Sequence, residues 1–95
     1  MTCQLKAVPL FERQFKKFYP REQGVIRQEI KRIKSNPAIG EVKKGALAHV
    51  RVHKFRIHKQ KYLLAYELTG KERTIYLYAI ATHENYYTAL QRYLK

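Results

Sequence analysis

The chain has few residues of several kinds, and each shortage excludes a class of protein. Among its 95 residues are one cysteine and no tryptophan. Cys3 has no second cysteine for an internal disulfide or a zinc-binding thiolate cluster, so we assign it no functional role. No apolar run is long enough to span a membrane, and residues 1–15 lack the apolar core of a signal peptide. These absences favour a soluble cytoplasmic protein.

Acidic residues are also scarce. Seven Asp and Glu stand against 20 Lys and Arg, which gives a formal net charge of +13. Self-repulsion of this size destabilises a compact chain, so we expect a polyanionic partner: nucleic acid, an anionic membrane surface or an acidic protein. Hydrophobic residues make up 45% of the chain, with eight tyrosines and four phenylalanines. This is enough for one globular core, and we expect a single domain over residues 1–95.

The first half of the chain predicts a short strand followed by two helices. Residues 3–8 alternate weakly, as in a short strand, and Pro9 suits the first turn of a helix. The apolar residues of each helix fall on one face: Phe11, Phe15 and Phe18 in the first, and Ile26, Ile30 and Ile33 in the second. We expect Pro20 to end the first helix, the second to close at Ser35, and residues 38–48 to form a loop.

From Ala48 onward the apolar period changes to two, which is typical of strands. Three strands are predicted, over 48–58, 60–69 and 73–82, with Gln60 and Lys61 at one connection and Gly70 in a hairpin turn. The last two strands are apolar on both faces and should be central. Residues 83–95 predict a final helix capped by Thr82. The order β-α-α-β-β-β-α indicates an α+β fold.

The first of these strands changes phase along its length. Val50 and Val52 occupy even positions, whereas Phe55 and Ile57 occupy odd ones. A regular strand cannot bury all four on one side, so we expect a bulge or bend near His53 and Lys54. Beyond that point the side chains of Lys54, Arg56 and His58 should face outward together.

The same region is strongly basic. Between Val42 and Tyr66 there is no acidic residue, and there are seven basic ones: Lys43, Lys44, Arg51, Lys54, Arg56, Lys59 and Lys61. Cations fixed on a strand keep the geometry that a phosphate-binding surface needs, which favours an RNA or DNA backbone as ligand. The alternative is a basic sheet edge that protects the protein from aggregation.

The histidines add the chemistry for RNA cleavage without a metal. That reaction needs a base for the 2′-OH proton, cations for the phosphorane and an acid for the leaving 5′ oxygen. His49, His53, His58 and His83 are candidates because imidazole titrates near neutrality. No histidine, cysteine or carboxylate pattern has the spacing of a metal site, and we expect no cofactor.

Two runs of the sequence resemble a known superfamily. VHKFRI with QKYLLAYEL, followed by IYLYAIATHENYYTALQRYL, is similar to the RelE/ParE toxins of bacterial type II toxin–antitoxin systems. The resemblance implies a helical hairpin packed on a twisted antiparallel sheet, followed by a C-terminal helix. It also implies a ribonuclease that cuts mRNA in the ribosomal A site without a metal.

The resemblance also implies roles for individual residues. Lys54 would receive a proton or polarise the 2′-OH, and Arg56 would hold the phosphate. His83 matches a histidine that several ribonuclease members place before the last helix, and the general base stays open among Lys54, His53 and His83. The residues expected to bind RNA are Lys43, Lys44, Arg51, His58, Lys59, Lys61, and Tyr86 and Tyr87 as stacking aromatics.

One position departs from the superfamily pattern. Leu63 follows Tyr62 where the type member has an arginine. If that arginine stabilises the transition state, then Arg51, Lys59 or Lys61 must replace it.

Three functions are compatible with the resemblance. The first is a ribosome-dependent mRNA endonuclease with three partners: a cognate acidic antitoxin, the ribosome and the mRNA in its A site. The second is a ParE-like poison of DNA gyrase without nuclease activity. The third is a degenerate, non-toxic member that only binds a protein. The histidines of the basic strand and His83 favour the nuclease, and none of the three involves a membrane.

Overall fold

The structure is a computed structural model, and it describes residues 4–42, 50–69 and 73–82. Within them the elements are β1 (Gln4–Ala7), α1 (Pro9–Lys16), α2 (Pro20–Ser35), a 3-10 turn (Pro37–Ile39), β2 (Glu41–Val42), β3 (Arg51–Ile57), β4 (Gln60–Thr69) and β5 (Thr74–Thr82). The α+β organisation predicted from the periodicity is confirmed. The helix predicted over 83–95 lies outside the described residues.

Prolines open both helices. Pro9 is the first residue of α1, as expected, but Pro20 begins α2, and α1 already ends at Lys16. The prediction that Pro20 ends the first helix was therefore wrong, because proline fits the first helical position, where no amide hydrogen is needed. The Tyr19 N–H, just before α2, donates to Glu22 Oε1 at 3.0 Å, and α2 closes at Ser35 as predicted.

The five strands form one sheet in the order β1-β5-β4-β3-β2. The strands pair antiparallel from β2 to β3, from β3 to β4 and from β4 to β5, as expected, whereas β1 runs parallel to β5. The two-residue β2 was not predicted, because residues 38–48 were assigned to a loop. No helix in the described part of the chain is long and apolar enough to cross a membrane.

The helices pack on one face of the sheet. Gln14 of α1 accepts a hydrogen bond from the Ile80 N–H at 2.8 Å, beyond the point where β1 stops pairing with β5. The core on this face consists of Phe11, Ile26, Ile33, Phe55, Ile57, Leu64, Tyr66, Ile75, Leu77 and Ile80. A second buried cluster is formed by Val50, Val52, Leu63, Ala65 and Ala79. The sheet therefore has apolar side chains on both faces.

The phase change in β3 has a different explanation from the predicted bulge. The pairing of β3 with β4 is regular from Arg51 opposite Tyr66 to Ile57 opposite Gln60. Val52 belongs to the second cluster and Phe55 to the first, so the strand buries apolar residues on both sides without a bulge. The bulge near His53 and Lys54 was therefore a wrong prediction.

The irregularity occurs between β4 and β5 instead. Ala65 pairs with Ala79, but Tyr66 pairs with Leu77, which leaves Tyr78 as an extra residue on β5. The extra residue lets Leu77 and Ile80 reach the same helix-facing core although they are three positions apart.

The hairpin between β3 and β4 turns at His58 and Lys59. Ile57 pairs directly with Gln60, so the loop contains two residues, and Gln60 and Lys61 belong to β4 rather than to the connection. His58 has a φ of 56°, as the first central residue of such a tight hairpin requires.

Candidate nucleic-acid interface

Three cations lie on one face of the hairpin formed by β3 and β4. Lys54 and Arg56 are two positions apart on β3 and are both exposed. Arg56 is directly opposite Lys61 on β4, so these two side chains leave the sheet on the same side. Val52, on the same side of β3, belongs to the second cluster, so the three cations lie on the opposite face from Phe55 and from the core that α2 covers. We call Lys54, Arg56 and Lys61 the cation triad.

The triad holds like charges close together. Directly opposite residues of an antiparallel pair have Cβ atoms about 4.5–5.5 Å apart, and like charges in this arrangement destabilise the sheet. The Arg56–Lys61 pair therefore costs free energy in the unliganded protein. A phosphate between the two side chains would replace repulsion by charge-assisted hydrogen bonds.

A carboxylate of β2 balances part of the charge. Glu41 Oε2 lies 3.7 Å from Lys54 Nζ. The Lys54 side chain is 41% exposed and that of Glu41 is 65% exposed. Exposed ion pairs contribute about 0–1 kcal/mol, so a phosphate can displace Glu41 at little cost. Glu41 was not among the residues selected from the sequence, because the pattern that drew attention to the basic region contained no acid.

Leu63, where the sequence departs from the superfamily pattern, lies next to the triad. It is opposite Lys54 and buried in the second cluster, with 3% of its surface exposed. Of the three residues suggested as replacements for the missing arginine, Lys61 lies two positions before Leu63 on the same face. Arg51 and Lys59 do not lie on this face beside Leu63, since Arg51 faces the helices and Lys59 lies in the turn.

His53 occupies a different environment from the triad. Its side chain is buried on the helix-facing side, where Nε2 is 2.7 Å from Glu29 Oε1 of α2 and the ring stacks on Phe55 at 5.9 Å between centroids. The regular alternation of β3 places it on the opposite face from Lys54 and Arg56. The structure therefore does not bring His53 together with Lys54 and Arg56, and the placement does not support a catalytic role.

The remaining predicted residues fall into three groups. Arg51 is half-buried and donates from Nη1 to the Gly40 carbonyl at 3.0 Å, which gives it a structural contact near β2. His58 and Lys59 are exposed in the hairpin turn beside the triad. Outside the described residues lie Lys43, Lys44, His49, His83, Tyr86 and Tyr87.

Tyr66 positions the segment that carries Glu41. Its hydroxyl donates to the Pro37 carbonyl at 2.6 Å and accepts from the Gly40 N–H at 2.9 Å. Burial raises the pKa of Tyr66, partly offset by the Gly40 hydrogen bond and by the charge of Arg51. This buried hydroxyl therefore fixes the start of β2 against β4. The sequence did not reveal the contact, since Tyr66 reads only as one more apolar residue of an alternating strand.

Metal ligands do not cluster in the described parts of the chain. Residues 4–42, 50–69 and 73–82 contain no group of three or more His, Cys, Asp or Glu side chains able to hold a metal ion. The triad itself offers three cationic hydrogen-bond donors on a rigid sheet surface, which suit an anionic backbone.

A family model matches almost the whole chain. Residues 5–91 match the ParE-like toxin family, described as the ParE-like toxin of type II bacterial toxin–antitoxin systems. The chain belongs to this family. It is a RelE/ParE superfamily toxin of a type II toxin–antitoxin system, as the sequence resemblance implied. The comparison with curated proteins found no match.

Solved structures of RelE toxins have the same fold. A RelBE toxin–antitoxin complex from Mycobacterium tuberculosis matches with a TM-score of 0.76 and 14% identity, over 87% of this chain and 100% of that one. The free form of a mutant Escherichia coli RelE matches at 0.73 and 16% identity, over 97% and 98% of the two chains. Mutant E. coli RelE in complex with a RelB antitoxin peptide matches at 0.68 and 15% identity, with the same coverage. At these identities the likeness establishes the fold.

Proposed function

We propose that this toxin is a metal-independent endoribonuclease that cuts mRNA on the ribosome and so inhibits translation. The observation that carries the proposal is the cation triad, in which Arg56 is directly opposite Lys61 and Lys54 lies beside them on the same exposed face. Such a surface binds a phosphodiester and stabilises additional negative charge on it.

In the proposed reaction the ribose 2′-OH attacks the adjacent phosphorus. A 2′-O–P bond forms and the P–O5′ bond breaks, giving a 2′,3′-cyclic phosphate and a free 5′-OH. Arg56 and Lys61 would hold the non-bridging oxygens, whose charge grows in the phosphorane. Lys54 would lie nearest the 2′-OH, where its ammonium stabilises the negative charge that develops on the 2′ oxygen as the hydroxyl proton passes to a water molecule.

His83 is our candidate for protonating the 5′ oxygen. Thr82, the residue before it, is the last described residue of β5 and pairs with Tyr62, which adjoins Lys61 on β4. The role of His83, the stacking roles of Tyr86 and Tyr87, and phosphate contacts from Lys43 and Lys44 stay predictions.

The test is to remove single cations of the triad and to compare the effect on mRNA cleavage with the removal of one cation elsewhere on the surface. We expect Lys54→Ala and Arg56→Ala each to lower the rate of mRNA cleavage about 10²- to 10³-fold, because each removes a cation that stabilises the transition state. The matched control is Lys6→Ala, an exposed lysine on β1, the far edge strand from β3. The measurement is the mapping of 5′ ends in a reconstituted translation reaction, with and without ribosomes.

Three outcomes would contradict the proposal. Equal losses in the Lys54 and Lys6 variants would assign the effect to net charge rather than to the triad. Growth arrest with intact mRNA and double-strand DNA breaks would identify a gyrase poison instead. A wild-type protein that causes neither effect would be a non-toxic, protein-binding member of the family.

We also propose an acidic antitoxin as partner, acting in the cytoplasm where translation occurs. The solved relatives include toxins in complex with RelB-type antitoxins. In this chain the charge of +13 favours an acidic segment that covers the basic face of the sheet or displaces the C-terminal segment. A small acidic protein encoded next to this toxin should restore growth when the two are expressed together.

A further inference from the structure

The turn between α1 and α2 presents one aromatic side chain to solvent. Tyr19 is 76% exposed, whereas the other exposed large hydrophobic residues in the described parts of the chain are less so: Leu5 at 36%, Leu68 at 39% and Val42 at 53%. The residue before it is less exposed, since Phe18 is half-buried and packs on the core. An aromatic ring left in water forgoes the stabilisation that burial would give it.

The backbone that carries Tyr19 is rigidly held. Its N–H donates to Glu22, and Pro20 restricts Tyr19, the residue before it, to the extended conformation that the structure shows. The side-chain amide of Gln23 ties α2 back to the end of α1 by donating to the carbonyls of Phe15 at 3.2 Å and Phe18 at 3.0 Å. The backbone at Tyr19 is therefore fixed before any ligand arrives, so ligand binding has to order only the side-chain torsions of the tyrosine, which lowers the entropic cost of binding.

Free cations flank the tyrosine. Lys16, Lys17 and Arg21 are exposed, and in the described part of the chain none of them has a carboxylate within ion-pair distance. The carboxylate of Glu22, the acidic residue of the turn, accepts the hydrogen bond from the Tyr19 N–H. An exposed ring between unpaired cations suits a single-stranded nucleic acid, in which bases stack on aromatic rings while cations follow the phosphates.

The turn lies at the same end of the molecule as the cation triad. Phe18 packs edge-on against Tyr62 with centroids 5.6 Å apart. Tyr62 adjoins Lys61 in sequence and pairs with Phe55, which precedes Arg56. Tyr19 is thus one residue from a contact with the hairpin that bears the triad. That contact is on the helix-facing side of the sheet, so an RNA strand bound at Tyr19 would pass round the end of the hairpin to reach the triad on the other face.

From these observations we propose that Tyr19 is a stacking platform for an unpaired RNA base, and that Lys17 and Arg21 guide the strand from there toward the triad. The inference rests on the proposed function in taking RNA as the ligand. Charge favours RNA over a protein partner, because the centres of protein interfaces are depleted of charged residues, whereas Tyr19 is surrounded by them.

The experiment uses the absence of tryptophan from the natural chain. In Tyr19→Trp the introduced indole is the only one in the protein, so its fluorescence reports directly on this position. Titration with a short single-stranded RNA, 2′-O-methylated so that it cannot be cleaved, should quench it. The matched control is Tyr76→Trp, at a half-buried position opposite Glu67, toward the other end of β4 from Lys61, where no quenching is expected.

Affinity for the same RNA completes the test. Tyr19→Ala should bind about tenfold more weakly and Tyr19→Phe as well as wild type, since a phenyl ring also stacks. Urea unfolding should show that both variants are folded, because the ring is exposed.

Quenching that is equal at positions 19 and 76, or unchanged affinity in Tyr19→Ala, would overturn the inference. So would a Tyr19→Ala variant that loses binding to a purified antitoxin and keeps binding to RNA. Because the RNA is uncleavable, stacking can be observed even if the toxin proves to have no nuclease activity. Conversely, cleavage without stacking would refute only the role of Tyr19.

Discussion

At the scale of single residues, buried polar contacts decide which side chains remain available for function. His53 is held by Glu29, and the hydroxyl of Tyr66 is held by Pro37 and Gly40. These partners are 24 to 29 positions apart in the sequence, so no local pattern could have revealed them. Lys54 and Arg56 could be predicted as exposed, because alternation along a strand is a local property.

Tyr66 should make the stability of the toxin fall at alkaline pH. Burial raises its pKa above the usual value of 10.0, so above pH 10 the unfolded chain loses the phenolic proton before the folded one. The contribution of Tyr66 to the free energy of unfolding is therefore complete below pH 10, and it is lost as the pH rises toward the raised pKa.

The variant Tyr66→Phe tests this expectation. At pH 7 it should be less stable by about 1–3 kcal/mol, because Gly40 and Pro37 lose their hydrogen-bond partner. The difference in the free energy of unfolding between wild type and Tyr66→Phe should become smaller above pH 10. Urea unfolding between pH 7 and 11.5 measures both effects, with Tyr19→Phe as a control that removes an exposed hydroxyl. A constant difference across this range would contradict the assignment.

At the scale of elements, the period of the apolar residues predicted the helices and the long strands, but not their register. For β3 the sequence predicted a bulge, on the premise that the apolar residues at even and odd positions are all buried on one face. Two buried faces make Val52 and Phe55 compatible in a regular strand. The actual bulge, at Tyr78 on β5, could not be found from the pattern because small and aromatic residues alternate there on both faces. The two residues of β2 are too few to show any period.

Two glycines in different elements should respond oppositely to alanine. A Cβ at Gly40 would lie 2.7 Å from Tyr66 Oη, and the buried ring cannot move away. We expect Gly40→Ala to cost about 1–3 kcal/mol through overpacking. At Gly24, inside α2, a Cβ would meet no atom within 4 Å, and Gly24→Ala should stabilise the helix by about 0.5–1 kcal/mol.

Urea unfolding of both glycine variants provides the comparison. Equal effects at the two positions would show that the Tyr66 contact does not constrain the start of β2. In that case Tyr66 would not fix the position of Glu41 relative to Lys54.

At the scale of the whole molecule, three acids of the described residues are engaged by groups within the chain, while many cations remain at the surface. Glu22 binds the Tyr19 N–H, Glu29 binds His53 and Glu67 accepts from Tyr78. The net charge of +13 is therefore expressed outward, as a field that attracts polyanions over long range. Composition alone predicted a polyanionic partner, but not which cations share a face.

The salt dependence of RNA binding should distinguish local contacts from the general field. Each phosphate contact on single-stranded RNA contributes about 0.7 to the slope of log affinity against log salt concentration. Arg56→Ala should reduce the slope by about that amount, because Arg56 contacts a phosphate in the proposed complex. Lys6→Ala should leave it nearly unchanged. Fluorescence anisotropy with uncleavable RNA at several salt concentrations gives the slopes, and identical slopes would contradict a localised triad.

The parallel pairing of β1 with β5 has a consequence for biosynthesis. Gln4 pairs with Thr74, so both helices and strands β2 to β4 lie between β1 and its partner in the sequence. Contacts this distant in sequence form late and slowly, because a long loop must close before they add any stability. During synthesis β1 therefore stays unpaired until β5 has emerged, and only then can the five-stranded sheet be completed.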